Sequence, residues 1–419
     1  MAIALAPQKL RLWGALAGTL GQCSVPACAR PLSASARGDL ERWRLDRWRR
    51  LESRAGALAP RDASAWYELL AFERWRTRRP PRALPANALS LFYSVKSMVP
   101  RGVQIALRRW LAGYQGNPRF PEWPFERAGR DLLEIALADL LLEAGVETMC
   151  FSWFWPDGAD AATLLTHDVE SEQGLAYAPT VAQWEERHGF RSSFNIVGEW
   201  YKVDVGVVRE LAHRGHEIGS HGIYHDASLF SSRAEFDRQL PKLHACARQL
   251  GAVGFRSPST HRIVEWLAEL PFSYDCTMPH SDPYEPIPGG TATIWPFFHG
   301  DVVEIPYTAP QDHTLFTVLQ HTDSSLWRDQ LLRIVDGHGV FQMLTHPDPD
   351  CLGRAVAGRA YRDLLARIAD TTGLWVPLPR ELARWWRGRA GGETAAMKGV
   401  AAWDGSTVEY GPGPVDHGG

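Results

Sequence analysis

The chain has 419 residues, 45% of them hydrophobic and 22% charged, a composition that excludes a disordered or fibrous protein and allows one large domain with a substantial appendage, or two domains. No apolar run approaches the roughly 20 residues that span a bilayer, and six scattered cysteines without a C-x-x-C pair read as reduced thiols rather than a disulfide framework. The net charge of -3 conceals an asymmetry: residues 1–130 carry 23 Lys+Arg against 9 Asp+Glu, which leaves 22 against 39 in the remainder.

Residues 1–40, rich in Ala, Ser, Gly and Pro, read as irregular. Ala2–Ala6 is too short an apolar core for a signal peptide and is soon interrupted by Lys9 and Arg11, so a cytoplasmic protein is expected. Residues 41–158 read as a basic, mostly helical region. Its helices are Leu40–Leu51, Ala63–Trp75, Arg101–Tyr114 and Asp131–Ala144, the third opened by Pro100. In that third helix Val103, Leu107, Trp110, Leu111 and Tyr114 form an apolar stripe beside Arg108 and Arg109. Packing on its own protein is the expected use of the stripe. Peripheral contact with a membrane or other anionic surface is the alternative, and no nucleic-acid partner is expected.

Beyond Pro156-Asp-Gly158 strands and helices alternate. Expected strands are Thr163–Thr166, Ser192–Val197, His216–Ser220, Ser273–Cys276, Val302–Ile305, Val340–Thr345 and Leu374–Val376. Expected helices are Pro179–Arg187, Val205–Arg214, Arg233–Leu250, Ser325–Asp336 and Arg359–Thr371, and Leu378–Trp386 closes the domain. This alternation over residues 159–390 predicts a parallel α/β architecture, closed or nearly closed into a barrel. Residues 391–419 read as a flexible tail. The 18 Trp suit either large cores or sugar-facing surfaces.

Chemistry gathers at the ends of the expected strands. The apolar run Thr163-Leu-Leu-Thr166 ends in His167-Asp168-Val169-Glu170. Asp168 and Glu170 are two apart, so an extended chain points both carboxylates to one side, where they call for a cation. His221 and His225 follow the strand His216–Ser220, and their spacing shares a face if the segment makes a helical turn. Two imidazoles and a carboxylate form a catalytic rather than a structural metal set. Phe255-Arg256-Ser-Pro258, Tyr274-Asp275 and Leu344-Thr-His346-Pro-Asp348 continue the strand-then-loop register.

The order of these five clusters resembles that of the polysaccharide deacetylases, the chitooligosaccharide-deacetylase homology family of metal-dependent amide hydrolases. The family's T-F-D-D, H-[S/T]-x-x-H, R-x-P, Asp-containing and L-x-H segments are matched in order by Thr166–Glu170, His221–His225, Arg256–Pro258, Tyr274-Asp275 and Leu344–His346. The segment Pro279–Phe316 is similar to one in a bacterial subgroup that carries the T-H-D-V variant. The resemblance implies a distorted (β/α) barrel and removal of N-acetyl groups from an amino-sugar-containing glycan. Glu170, His221 and His225 would hold a divalent metal, by donor type zinc. Asp168 would be the base that takes a proton from water, Arg256 would keep it ionised, and His346 would protonate the leaving amine.

Two departures from the family pattern matter. Val169 stands where the family's second Asp normally binds metal, which moves that duty to Glu170. Gly222 replaces the Ser or Thr between the histidines, which removes a hydroxyl but no ligand. Relatives with this acidic spacing are not all sugar deacetylases, so a non-sugar amide or cyclic imide is the alternative substrate. A degenerate glycan-binding protein is the non-enzymatic one.

Overall fold

The computed structural model describes residues 23–60, 63–78, 99–116, 118–391 and 398–413. The first helix, α1 (Ala34–Ala55), opens on Ser33, whose hydroxyl accepts the Ala36 N–H at 3.1 Å, the usual way to satisfy an orphan amide. Among the described residues α2 (Ala63–Ala71), α3 (Trp75–Arg78), α4 (Arg101–Gln115) and α5 (Ala128–Ala144) follow. Helix α5 is apolar on nearly every face and correspondingly buried, from Leu132 through Leu141. Its few acids meet the arginines of α1. Arg44 pairs with Asp139 at 2.6 Å, and Arg47 reaches Asp131 at 3.2 Å and Glu134 at 3.0 Å. Much of the basic excess of the N-terminal region is therefore spent on intramolecular pairing.

The rest of the chain alternates. Strands β1 (Thr148–Ser152), β2 (Ala161–Leu164) and β3 (Thr166–Val169) lead to α6 (Glu172–Glu186), β4 (Ser193–Ile196), α7 (Val205–His213), β5 (Glu217–Ser220) and α8 (Arg233–Leu250). Then come β6 (Gly254–Phe255), α9 (Val264–Leu267), β7 (Tyr274–Asp275), β8 (Phe297–His299) and β9 (Val302–Glu304). The series ends with α10 (Ser325–Asp336), β10 (Val340–Gln342), α11 (Ala355–Ala369), β11 (Leu374–Trp375), α12 (Pro379–Gly391), β12 (Lys398–Trp403) and β13 (Val408–Pro412). Among the described residues no helix is long and apolar enough to cross a membrane.

The mixed α/β class stands, but the barrel is not closed. Its strands divide into a seven-stranded sheet, β3-β4-β5-β6-β7-β9-β8, and a three-stranded sheet, β10-β2-β11. Every pairing in the two is parallel except β8 with β9. The expected strand Thr163–Thr166 breaks at Leu165, where the chain leaves one sheet for the other. Among the described residues no strand ladder joins the two; they are linked by shorter contacts, including a parallel bridge between His167 and Thr345 on one side, and the Thr308 and Ala309 N–H groups donating to the Gln342 carbonyl on the other. Parallel strands this short, buried on both faces, follow the continuous apolar runs read from the sequence.

Residues 398–412 correct the expected flexible tail. They form an antiparallel hairpin whose first strand pairs with β1, Thr148 opposite Ala402 and Ser152 opposite Lys398. The alternate burial of Gly399, Ala401 and Trp403 shows why: these residues cover one face of a shared core, a period-2 pattern masked by the small residues around it. Residues 23–40 are likewise not all irregular, since Ser24 bridges Cys150 and α1 already begins at Ala34. The remainder of both termini lies outside the described residues.

The N-terminal helices are joined to the strand-end loops by a fully buried ion pair. Arg262 donates to the Glu73 carboxylate from Nε at 2.9 Å and from Nη2 at 2.7 Å, and the Gly290 N–H adds a third bond at 2.7 Å. A bidentate pair of this kind fixes orientation as well as charge.

Candidate active site

The tip of β3 sorts its residues by parity. Val169 is fully buried among Leu175, Ala178, Phe194 and Ile196. His167 also turns away from the strand ends: its ring nitrogens lie 2.8 Å from the Thr345 hydroxyl and 2.7 Å from Glu185, inside the core. Asp168 and Glu170 face the other way, into a cleft. An Asp placed at position 169 would thus sit in the hydrophobic cluster, far from any ligand. Val169→Asp is expected to destabilise the fold by several kcal/mol, because an unpaired buried carboxyl has no compensation. Thermal unfolding checks it, and unchanged stability would show that the strand can rotate.

Asp168 is held by its neighbours in the sheet. Asn195 stands directly opposite on β4 and donates to Oδ1 at 2.8 Å. Arg256, completely buried, donates to the same oxygen from Nη1 at 3.1 Å and to the Cys276 carbonyl from Nε at 2.9 Å. With its amide turned to satisfy both ends, Gln342 accepts from Nη2 of Arg256 at 2.6 Å. Burial by itself would raise the Asp168 carboxyl. Arg256 foremost, with His221 and His346, outweighs it and keeps the group below the usual carboxylate range. Asp168 Oδ2 is left facing His221 Nε2 at 3.7 Å. Gly219 on β5 makes room for this arrangement, since a Cβ there would lie 2.1 Å from the Asn195 side-chain oxygen.

Glu170, His221 and His225 converge. Glu170 Oε1 is 2.8 Å from His225 Nε2 and 3.9 Å from His221 Nε2, and the three ligand atoms all lie within 4.8 Å of one another. His221 Nδ1 is 2.9 Å from the Arg256 carbonyl, which can only accept, so Nδ1 carries the proton and Nε2 presents a lone pair. Both Nε2 atoms are buried and lack an aligned hydrogen-bond partner. The Nε2 lone pair of His221, with His225 Nε2 and the Glu170 carboxylate beside it, fits a divalent cation by donor type. The two histidines come together in an irregular loop rather than the helical turn their spacing suggested. Gly222 shapes that loop: it is held at φ 78°, and a Cβ there would press on Pro258 at 3.1 Å.

His346 enters from the far side, with Nε2 3.4 Å from Glu170. Its Nδ1 lies 2.7 Å from Asp312 Oδ1, and its backbone N–H donates to Asp312 Oδ2 at 2.9 Å. Burial works against protonation of this imidazole, yet Asp312 and then Glu170 hold its pKa well above the ordinary histidine value. Asp312 begins the turn His313–Val318, a single π-helical segment. Asp275 is not brought to the cleft. It is buried against Thr277, whose hydroxyl donates to it at 2.6 Å, and beside Glu304.

Asn195 and Asp312 escaped the sequence reading. An amide in the apolar strand Ser192–Val197 was a usable signal for the first. Asp312 had none, because its partner lies 34 residues away. The cleft itself is about 610 Å³ and is lined by Asp168, Glu170, His225 and His346 on one side and by Gln104, Leu107, Arg108 and Trp110 of α4 on the other.

No protein-family model matches the chain, and no curated protein matches it. Solved structures do resemble it. A protein from Mycobacterium smegmatis described as a polysaccharide deacetylase is 20% identical, covering 57% of this chain and 94% of that one with a TM-score of 0.46. PuuE allantoinase is 16% identical over 56% of this chain and 92% of its own, with a TM-score of 0.43. The peptidoglycan deacetylase PdaC from Bacillus subtilis is 12% identical over 57% and 96%, with a TM-score of 0.38. Function is accordingly argued from the site.

Proposed function

We propose that the chain is a metal-dependent amide hydrolase of the polysaccharide deacetylase kind, which removes N-acetyl groups from an amino-sugar-containing glycan. The observation that carries this reading is the convergence of Glu170, His221 and His225 between Asp168 Oδ2 and the Asp312-supported His346. The ordered resemblance of the five strand-end motifs to that family supplies the substrate class.

A divalent ion held by Glu170, His221 and His225, zinc by donor type, would supply acidification of a water and polarisation of the acyl carbonyl. Asp168 takes the water's proton through Oδ2, while Asn195 and Arg256 fix Oδ1 so that the carboxylate stays ionised and cannot turn away. His346 returns a proton from Nε2 to the departing nitrogen. Asp312 on Nδ1 keeps that ring charged and aimed across the cleft. The C–N bond breaks, water supplies the new acyl oxygen, and acetate and a free amine leave.

The test is acetate release from N-acetylglucosamine oligomers set against a panel of small linear and cyclic amides, with and without chelator. Turnover of a cyclic imide in place of the oligomers would move the substrate away from sugars. Glu170→Gln is expected to weaken zinc binding by more than the roughly 10–100-fold that loss of a supporting residue costs. Titration of zinc into the metal-free protein reads this directly, and unchanged affinity would remove Glu170 from the ligand set.

A further inference from the structure

The tryptophans span the full range of exposure. Trp66, Trp153, Trp155, Trp295, Trp327 and Trp386 are fully buried. Among the described residues only Trp110 and Trp200 are exposed, at 63% and 51%, and both line the cleft. Trp110 does not stand alone. Tyr114, one helical turn on, is 50% exposed, and its ring lies parallel to the Trp110 indole within 7°, with centroids 6.1 Å apart. Val103 at 48% and Leu107 at 46% extend the same face of α4. A contiguous exposed apolar face bordering a cleft marks a binding surface more often than chance. This one runs without a break from the cleft wall, because Leu107 and Trp110 belong to both.

We infer that this face of α4 is a stacking platform for the sugar units of an extended glycan, beyond the unit held at the metal site. The inference rests on the reading of the chain as a glycan deacetylase and adds where the units beyond the reacting one would lie, on a helix outside every motif of the hydrolase resemblance. A pyranose ring presents an apolar face of C–H groups to the electron-rich face of an aromatic ring, and Trp110 and Tyr114 place two exposed aromatic rings on one face of the helix. The charges beside the stripe favour this occupant over an anionic membrane. Arg108 donates to the Tyr284 carbonyl at 2.5 Å and Arg109 to the Thr317 carbonyl from Nε at 3.0 Å, so the Arg108 guanidinium is turned onto the protein and that of the exposed Arg109 is tethered there by Nε, which leaves little free charge for lipid phosphates.

The experiment compares the N-acetylglucosamine dimer with the hexamer in the full chain and in two double variants, Trp110→Ala/Tyr114→Ala and Trp110→Phe/Tyr114→Phe. Binding is measured calorimetrically on zinc-loaded protein made inactive by Asp168→Asn, and acetate release on the active background. The hexamer is expected to bind more tightly than the dimer. The alanine pair should weaken hexamer binding about tenfold more than dimer binding, and the phenylalanine pair should largely restore it. Equal weakening of both lengths, or none, overturns the platform. So does loss of adsorption to phosphatidylglycerol vesicles in the alanine pair with hexamer affinity intact, which would assign the face to a membrane. Length-dependent binding that the alanine pair removes, without acetate release by the active chain, would sink the deacetylase reading while leaving the platform standing.

Discussion

Asp168→Asn is expected to lower turnover by about 10²–10⁴-fold, the contribution of a positioned acid–base group, and to leave the bound metal in place. The second half of that expectation follows from geometry. Asp168 lies outside the trio whose ligand atoms converge, and its Oδ2 faces His221 at 3.7 Å rather than joining the Glu170 oxygen. The variant also carries a structural penalty. Arg256 is fully buried and would lose its carboxylate while keeping its charge, a change that costs about 3–5 kcal/mol when one partner of a buried pair is removed. Activity, metal content and thermal unfolding together test the assignment: near wild-type turnover would sink Asp168 as base, and loss of metal would make it a ligand instead. Asp168→Ala, which also empties the space, should be less stable still.

His346→Ala is expected to reduce kcat by a similar 10²–10⁴-fold with little change in KM, because under the proposed mechanism the imidazole acts on the leaving nitrogen rather than on the resting substrate. Asp312→Asn should lie between this variant and the wild type. Asparagine can still accept the His346 Nδ1–H and the His313 N–H at the start of the π-helical turn, but it withdraws the charge that favours a protonated ring. Steady-state kinetics on the oligomer substrate separate the cases. If Asp312→Asn leaves kcat within twofold of wild type, the buried carboxylate is not what readies His346. If it raises KM alone, Asp312 shapes the cleft and does nothing to the acid.

The parts of this site that could be read from the chain are those written locally. Asp168 and Glu170 share a side because an extended strand has a period of two, and His167 and Val169 fall into the core for the same reason. Helices α8 and α10 carry their boundaries in sequence: Ser232 caps the start of α8 and Gly251 its end, and α10 runs from Ser325 to Asp336 as its apolar spacing indicates. What could not be read depends on partners distant in sequence. Asn195 is defined as a site residue by its register opposite Asp168, and Asp312 by a loop that returns to His346. The open barrel belongs with these. Whether β2 and β3 form one strand or two is decided by which neighbours Leu165 separates, and no local preference records that.

The basic N-terminal region takes on a definite role as well. Its arginines neutralise acids of α5, its Glu73 clamps Arg262 six residues after the catalytic-side Arg256, and its helix α4 closes one wall of the cleft. Residues numbered below 160 therefore contribute directly to the space in which substrate would lie, even though every motif resembling the hydrolase family lies beyond it.

The hairpin of β12 and β13 sets the order in which the molecule can be completed. Strand β1 emerges from the ribosome ahead of the whole run of parallel strands, yet its sheet partner β12 follows all of them in the chain. Until Lys398–Trp403 arrives, the edge of β1 stays open and Phe151 lacks Gly399 across from it. Pairings so distant in sequence form late, because the loop between them must close first. During translation the nascent chain thus carries an unprotected strand edge, and the β12–β13 hairpin acts as a latch that shuts only after the residues of the cleft have all been made.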